Sequence, residues 1–158
     1  MKFILSAALC LYMQCGFAQS LDLNSLEKIL YAPVSSVDSA LKKSNFRLTE
    51  KQKDKGYCNY YYTSYERKDL FKHLLRSLSY MDIFDKGDTS RIVLYRTYYE
   101  TDQQELKKQL VANGYELTSQ QNNNFVYKKG DVTITNKITE KTVPRGKPMT
   151  AYEFELGR

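Results

Sequence analysis

The chain has no tryptophan and one histidine, His73. A Ser-His-Asp or Cys-His device would have only that one base, and its neighbours Lys72 and Leu74 supply neither nucleophile nor acid. Cysteine is also scarce: Cys10, Cys15 and Cys58. The first two fall in a segment that reads as a removable leader, so no intramolecular disulfide is expected, and Cys58 reads as a small buried apolar residue. Structural zinc, which wants four Cys or His ligands, is not expected either. Glycine-rich phosphate loops are missing. The nearest stretch, VPRGKP, has Gly146 between two prolines and reads as a rigid turn with Arg145 and Lys147 at its tip. Asp82, Asp85 and Asp88 stand three apart around Gly87 but lack the spacing and final Glu of a calcium loop, and read as a hairpin turn. No catalytic residue, metal or cofactor is therefore assigned, and a hydrolase ranks behind the binding readings below.

What is present begins with MKFILSAALCLYMQCGFAQS. Lys2 precedes an apolar run from Phe3 to Met13, and Gly16 and Ala18 hold the −3 and −1 places of a small-x-small cleavage site. The run is shorter than the ~20 residues of a bilayer crossing. Cys10 follows Leu9 and Cys15 follows Gln14, which fits a lipid anchor badly. The expectation is a signal peptide over 1–18, no transmembrane segment after cleavage, and a periplasmic or secreted product of residues 19–158. The Ala-Gln junction resembles cleavage sites common in Bacteroidota. A formal charge of +6 is mild and spread along the chain, and export argues against nucleic acid as a partner.

The most informative pattern is an internal echo. VDSALKKSNFRLTE from Val37 and LKKQLVANGYELTS from Leu106 align without a gap, 69 positions apart. Leu41 matches Leu110, Phe46 matches Tyr115, Leu48 matches Leu117 and Thr49 matches Thr118. Each reads as a short helix, a stop at Asn45 or Asn113-Gly114, and a strand opening on an aromatic residue. Four strands are predicted after each helix. In the second copy they are Tyr115 to Ser119, Phe125 to Lys128, Val132 to Ile138 and Thr150 to Leu156. In the first they are Phe46 to Lys51, Tyr57 to Glu66, about Leu75 to Phe84, and Arg91 to Tyr99. Residues 69–81 also fit a helix capped by Asp69; the duplication favours the strand. Upstream, Asn24-Ser25 is expected to cap a helix through Tyr31, Pro33 to break it, and Ser35-Ser36 to cap the next. The predicted fold is α+β: two repeats (24–99 and 101–158) of helix plus four-stranded antiparallel sheet.

That element order, over most of residues 24–156, resembles the beta-lactamase-inhibitor-protein fold, although this chain lacks the disulfides that close that family's repeats. No binding residue carries over. A TATA-binding-protein-like saddle fits almost as well. The resemblance implies architecture, and an inhibitor-like recognition role only as an analogy.

Fourteen tyrosines remain to be explained. Tyrosine suits both strands and binding faces. In YCNYYYTSY, strand parity puts Cys58, Tyr60, Tyr62 and Ser64 on one face and Tyr57, Asn59, Tyr61, Thr63 and Tyr65 on the other. A thiol's usual burial assigns the first set to the core. In RIVLYRTYY, Val93, Tyr95, Thr97 and Tyr99 share one side. The expected binding face is therefore Tyr57, Tyr61, Tyr65, Tyr95 and Tyr99, on an exported non-enzymatic module for a protein or peptide. The alternative is an envelope carrier holding lipid, haem or a glycan fragment between its halves.

Overall fold

Asp22 starts the first helix. Its carboxylate accepts from the Ser25 amide at 2.8 Å, and hydrogen bonding from the Ser25 side chain, with that amide bond behind it, holds its pKa below the ordinary value. The cap is thus Asp22, not Asn24-Ser25, because the helix already begins at Leu23. In this computed structural model, the backbone is described for residues 20–68, 71–141 and 148–158, and side chains for 20–64, 76–140 and 148–158. The expected leader and the loop carrying Arg145 and Lys147 lie outside the described residues, as do the side chains of Tyr65 and His73.

Helix α1 spans Leu23–Tyr31 and α2 spans Val34–Lys43. Pro33 separates them from the N-cap position of α2, where its fixed φ is tolerated. Ser35 and Ser36 fall inside the first turn of α2 rather than at its cap, and the Ser36 hydroxyl donates to the Pro33 carbonyl at 2.8 Å. Strands β1 (Arg47–Lys53), β2 (Tyr57–Lys68), β3 (Phe71–Asp85) and β4 (Asp88–Thr97) follow, then α3 (Glu100–Ala112) and strands β5 (Glu116–Gln121), β6 (Asn124–Lys129), β7 (Val132–Lys141) and β8 (Met149–Gly157). Residues 71–81 are strand, which decides the ambiguous stretch against a helix where it is described. The 85–88 segment is a two-residue hairpin, with Lys86 and Gly87 both at positive φ as such a turn demands.

The eight strands form one antiparallel sheet in the order β1-β2-β3-β4-β8-β7-β6-β5. The expected pair of four-stranded sheets is thus a single larger one, because β4 pairs with β8 from Ile92 to Thr97 instead of ending as an edge. The three helices cover one face. Leu26, Leu30, Val37, Leu41, Leu106 and Leu110 pack into one cluster with Tyr62, Leu78, Tyr80, Val93, Tyr95, Ile134, Phe154 and Leu156. No helix covers the opposite face among the described residues.

The echoing segments adopt matching local geometry. Both helices end in the same motif: Phe46 N–H donates to Leu41 O and Asn45 N–H to Lys42 O; Tyr115 N–H donates to Leu110 O and Gly114 N–H to Val111 O. Asn45 and Gly114 occupy the positive-φ position, at 62° and 78°. The next strand bulges at Thr49 in one half and at Thr118 in the other. Each threonine hydroxyl donates to a neighbouring-strand carbonyl, of Tyr61 at 3.1 Å and of Val126 at 3.2 Å. The pairing register carries the correspondence through the sheet. Tyr62 takes the place of Tyr127, Leu78 of Ile134, Tyr95 of Leu156, and Leu94 of Glu155. Leu94 and Glu155 are also directly paired, so the pseudo-twofold relation between the halves passes between them.

Candidate functional site: the open sheet face

Antiparallel register places directly opposed side chains on the same face. Three rows therefore run across the uncovered face. The first reads Arg47, Thr63, Ser77, Arg96, Glu153, Lys137, Asn124; the second Glu50, Tyr61, Ser79, Leu94, Glu155, Thr135, Val126; the third Gln52, Asn59, Met81, Ile92, Gly157, Thr133, Lys128. Over β2, β3 and β4 the face is apolar and hydroxylic, apart from Asn59 and Arg96. Over β7 and β8 it is threonine and charge.

A depression of roughly 280 Å³ lies on the first part, with Tyr61, Met81, Ile92, Leu94, Arg96 and Glu155 in its lining. Met81, Ile92 and Leu94 are half-buried although no helix shields them. Inside the rim, Asn59 accepts from the Ser79 hydroxyl at 2.7 Å, and the Tyr61 hydroxyl reaches Gln52 Oε1 at 3.4 Å. Arg96 holds Glu153 through Nε and Nη2, both at 2.7 Å. Glu155, two positions on, is exposed and has neutral neighbours in its row, Leu94 and Thr135.

Of the expected binding residues, Tyr57 and Tyr61 stand on this face, each half-buried. Tyr95 does not. It is completely buried on the helix side, and its hydroxyl lies 3.4 Å from Asp102 of α3. Both faces of β4 are apolar, and the aromatic face is the one that packs inward, because a partner for its hydroxyl exists there. Burial and Asp102 push the Tyr95 phenol up from its ordinary pKa. Tyr99 ends outside the strand, at the N-cap of α3, with the Arg76 guanidinium 4.8 Å from its ring. In the opening tyrosine run, Cys58, Tyr62 and Ser64 are buried and Tyr60 packs against the core. A hydrogen bond with Cys58, and then burial, push Tyr60 up to about 12; burial does the same to Tyr62.

Sequence reasoning missed Met81, Ile92, Leu94, Arg96 and Glu155. The signal that finds them is pairing. Once Tyr62 is inward, its partner Leu78 and then Tyr95 must be inward too, and Ile92 and Leu94 must face out.

A wider groove of roughly 650 Å³ runs between α1 and the β6–β7 turn, lined in part by Tyr31, Tyr115 and Val132. Its aromatic groups are already engaged. Tyr115 donates to Glu27 at 2.6 Å beneath Lys129, and Arg158 lies 4.6 Å from the Tyr31 ring centre. Among the described residues, no three of His, Cys, Asp and Glu converge to hold a metal, and no helix is long and apolar enough to cross a membrane.

Compared with known proteins, the chain matches no family model, no curated protein and no solved structure.

Proposed function

We propose that this chain is an exported, non-catalytic recognition module that binds a protein or peptide through the open sheet face, centred on Tyr61, Met81, Ile92 and Leu94. One observation carries the reading: aliphatic and aromatic side chains are gathered in a depression on the face that the helices leave free. Such a patch is the usual mark of an interaction surface. Export rests on the leader-like first eighteen residues. We also propose that the two halves arose by duplication, which the shared helix ends, bulges and register support.

The test is the double substitution Tyr57→Ser/Tyr61→Ser. The protein should keep its circular dichroism and thermal transition, and lose whatever partner the parent protein captures from its own envelope extract. Unfolding of the double variant would place these tyrosines in the core and end the proposal. Unchanged capture would move the binding surface elsewhere.

A further inference from the structure

We infer that the partner docks on this face through a lysine or arginine side chain, with its stem over Leu94 and its charged head on Glu155. The inference rests on the proposed function above and specifies its partner.

The charges of the face are unevenly satisfied. Glu153 sits between two cations in its row, Arg96 and Lys137, and is clamped by Arg96 at 2.7 Å. Glu155 sits between Leu94 and Thr135 and forms no hydrogen bond or ion pair among the described residues. It is nevertheless placed at the edge of the apolar depression. The pseudo-twofold relation sharpens the point. Glu155 occupies the place that Leu94 holds in the first half, so the centre of the face carries one apolar and one anionic group, side by side.

An occupant matching both groups must be aliphatic for several atoms and then positive. Opposed residues of an antiparallel pair stand about 4.5–5.5 Å apart at Cα. A lysine or arginine stem lying across Leu94 therefore brings its head to the Glu155 carboxylate, in the way long cationic side chains cover apolar surface. Tyr61, two strands from Leu94 in the same row, is placed to meet the next residue of the segment. A purely apolar anchor would leave Glu155 facing low-dielectric surface without compensation, and an acidic one would be repelled.

The test uses Nα-acetyl-arginine methylamide as probe, with its citrulline counterpart as the uncharged control of similar shape. Two-dimensional amide NMR of the intact protein follows the titration. The expected result is shifts clustered at Tyr61, Leu94 and Glu155. Arginine should bind roughly two- to fivefold more tightly than citrulline, the range of a solvent-exposed ion pair. The preference should vanish in Glu155→Gln and shrink at about 0.5 M salt. Equal binding of the two probes, shifts centred elsewhere, or no shifts at tens of millimolar would each overturn the inference. The two proposals fail separately. If Glu155→Gln retains partner capture while Tyr57→Ser/Tyr61→Ser loses it, the cationic anchor is wrong and the binding face stands.

Discussion

Replacing Asp102 by asparagine keeps the shape of the side chain and removes its charge. Asp102 and Arg76 are each 8% exposed, and the pair joins the first turn of α3 to strand β3. One carboxylate oxygen accepts from Arg76 Nε at 2.6 Å and from the Thr97 hydroxyl at 2.7 Å; the other accepts from Arg76 Nη2 at 3.1 Å. Asparagine cannot reproduce this set, because its amide nitrogen would point a donor at donors. It also leaves the guanidinium buried without its carboxylate. Removing one member of a buried pair costs about 3–5 kcal/mol, a large part of the roughly 5–15 kcal/mol that holds a domain folded. Urea unfolding followed by far-ultraviolet circular dichroism measures the loss as a lower midpoint at unchanged slope. The double variant Arg76→Met/Asp102→Asn should recover part of it, since the desolvated guanidinium is gone. A loss below about 1 kcal/mol in the single variant, the worth of an exposed pair, would refute the claim that this bridge is desolvated.

Alkali should unfold the protein through its core phenols. Burial pushes Tyr62 and Tyr80 up to about 12 and raises Tyr115 as well, so the unfolded chain, ionising near pH 10, loses its protons first. Stability is then full below pH 10 and falls as pH rises toward 12; phenolate absorbance should show an early exposed class and a late class released with loss of near-ultraviolet dichroism, and one uniform transition at pH 10 would contradict it. Gly114→Ala should cost about 1 kcal/mol in denaturant midpoint, because φ is 78° while a Cβ there meets only open space; Asn45→Gly, at the equivalent place, should be neutral or slightly stabilising. Thr63→Val should stabilise by about 1 kcal/mol, since the Thr63 Oγ1 is buried with no hydrogen-bond partner among the described residues; a destabilised variant would reveal a hidden partner.

Local signals were legible where they arise within a few residues. Asn45, Gly114, Pro33 and the Lys86-Gly87 turn announce helix ends and hairpins because only certain residues accept those dihedrals. Parity identified the inward set of β2 because the Cys58 thiol marked one side as buried. Parity alone could not orient β4, where Ile92 and Leu94 compete with Val93 and Tyr95. That choice is made by Asp102, which arrives from a helix later in the chain to meet the Tyr95 hydroxyl. The same holds for Arg91. Its sequence neighbours say nothing of the Asp82 carboxylate at 2.6 Å or of the carbonyls of Leu30 and Ala32, at the end of α1, that it binds. The joining of the halves was equally non-local: nothing in Arg91 to Tyr99 or Thr150 to Leu156 names the other as its partner, and their pairing turns two small sheets into one.

The register correspondence separates what the fold requires from what the surface is free to vary. On the helix side, equivalent places hold Tyr62 and Tyr127, Tyr60 and Phe125, Leu78 and Ile134, Val93 and Phe154, Tyr95 and Leu156. Each pair is apolar or aromatic in both halves, as packing against helices demands. On the open side the equivalent places hold Tyr61 and Val126, Met81 and Lys137, Ile92 and Glu153, Leu94 and Glu155. At Met81, Ile92 and Leu94 the first half is apolar where the second is charged, whereas Arg96 stands where the second half has Gly157 and Ser77 and Ser79 stand where it has Thr133 and Thr135. If solvent were the only thing this face met, nothing would oppose charge in both halves, and water would favour it. The aliphatic set on β3 and β4 is the departure that needs a cause. Packing is not that cause, because the same positions in the second half fold with lysine and glutamate. The occupant proposed above, seated at the seam where Leu94 meets Glu155, would supply such a cause.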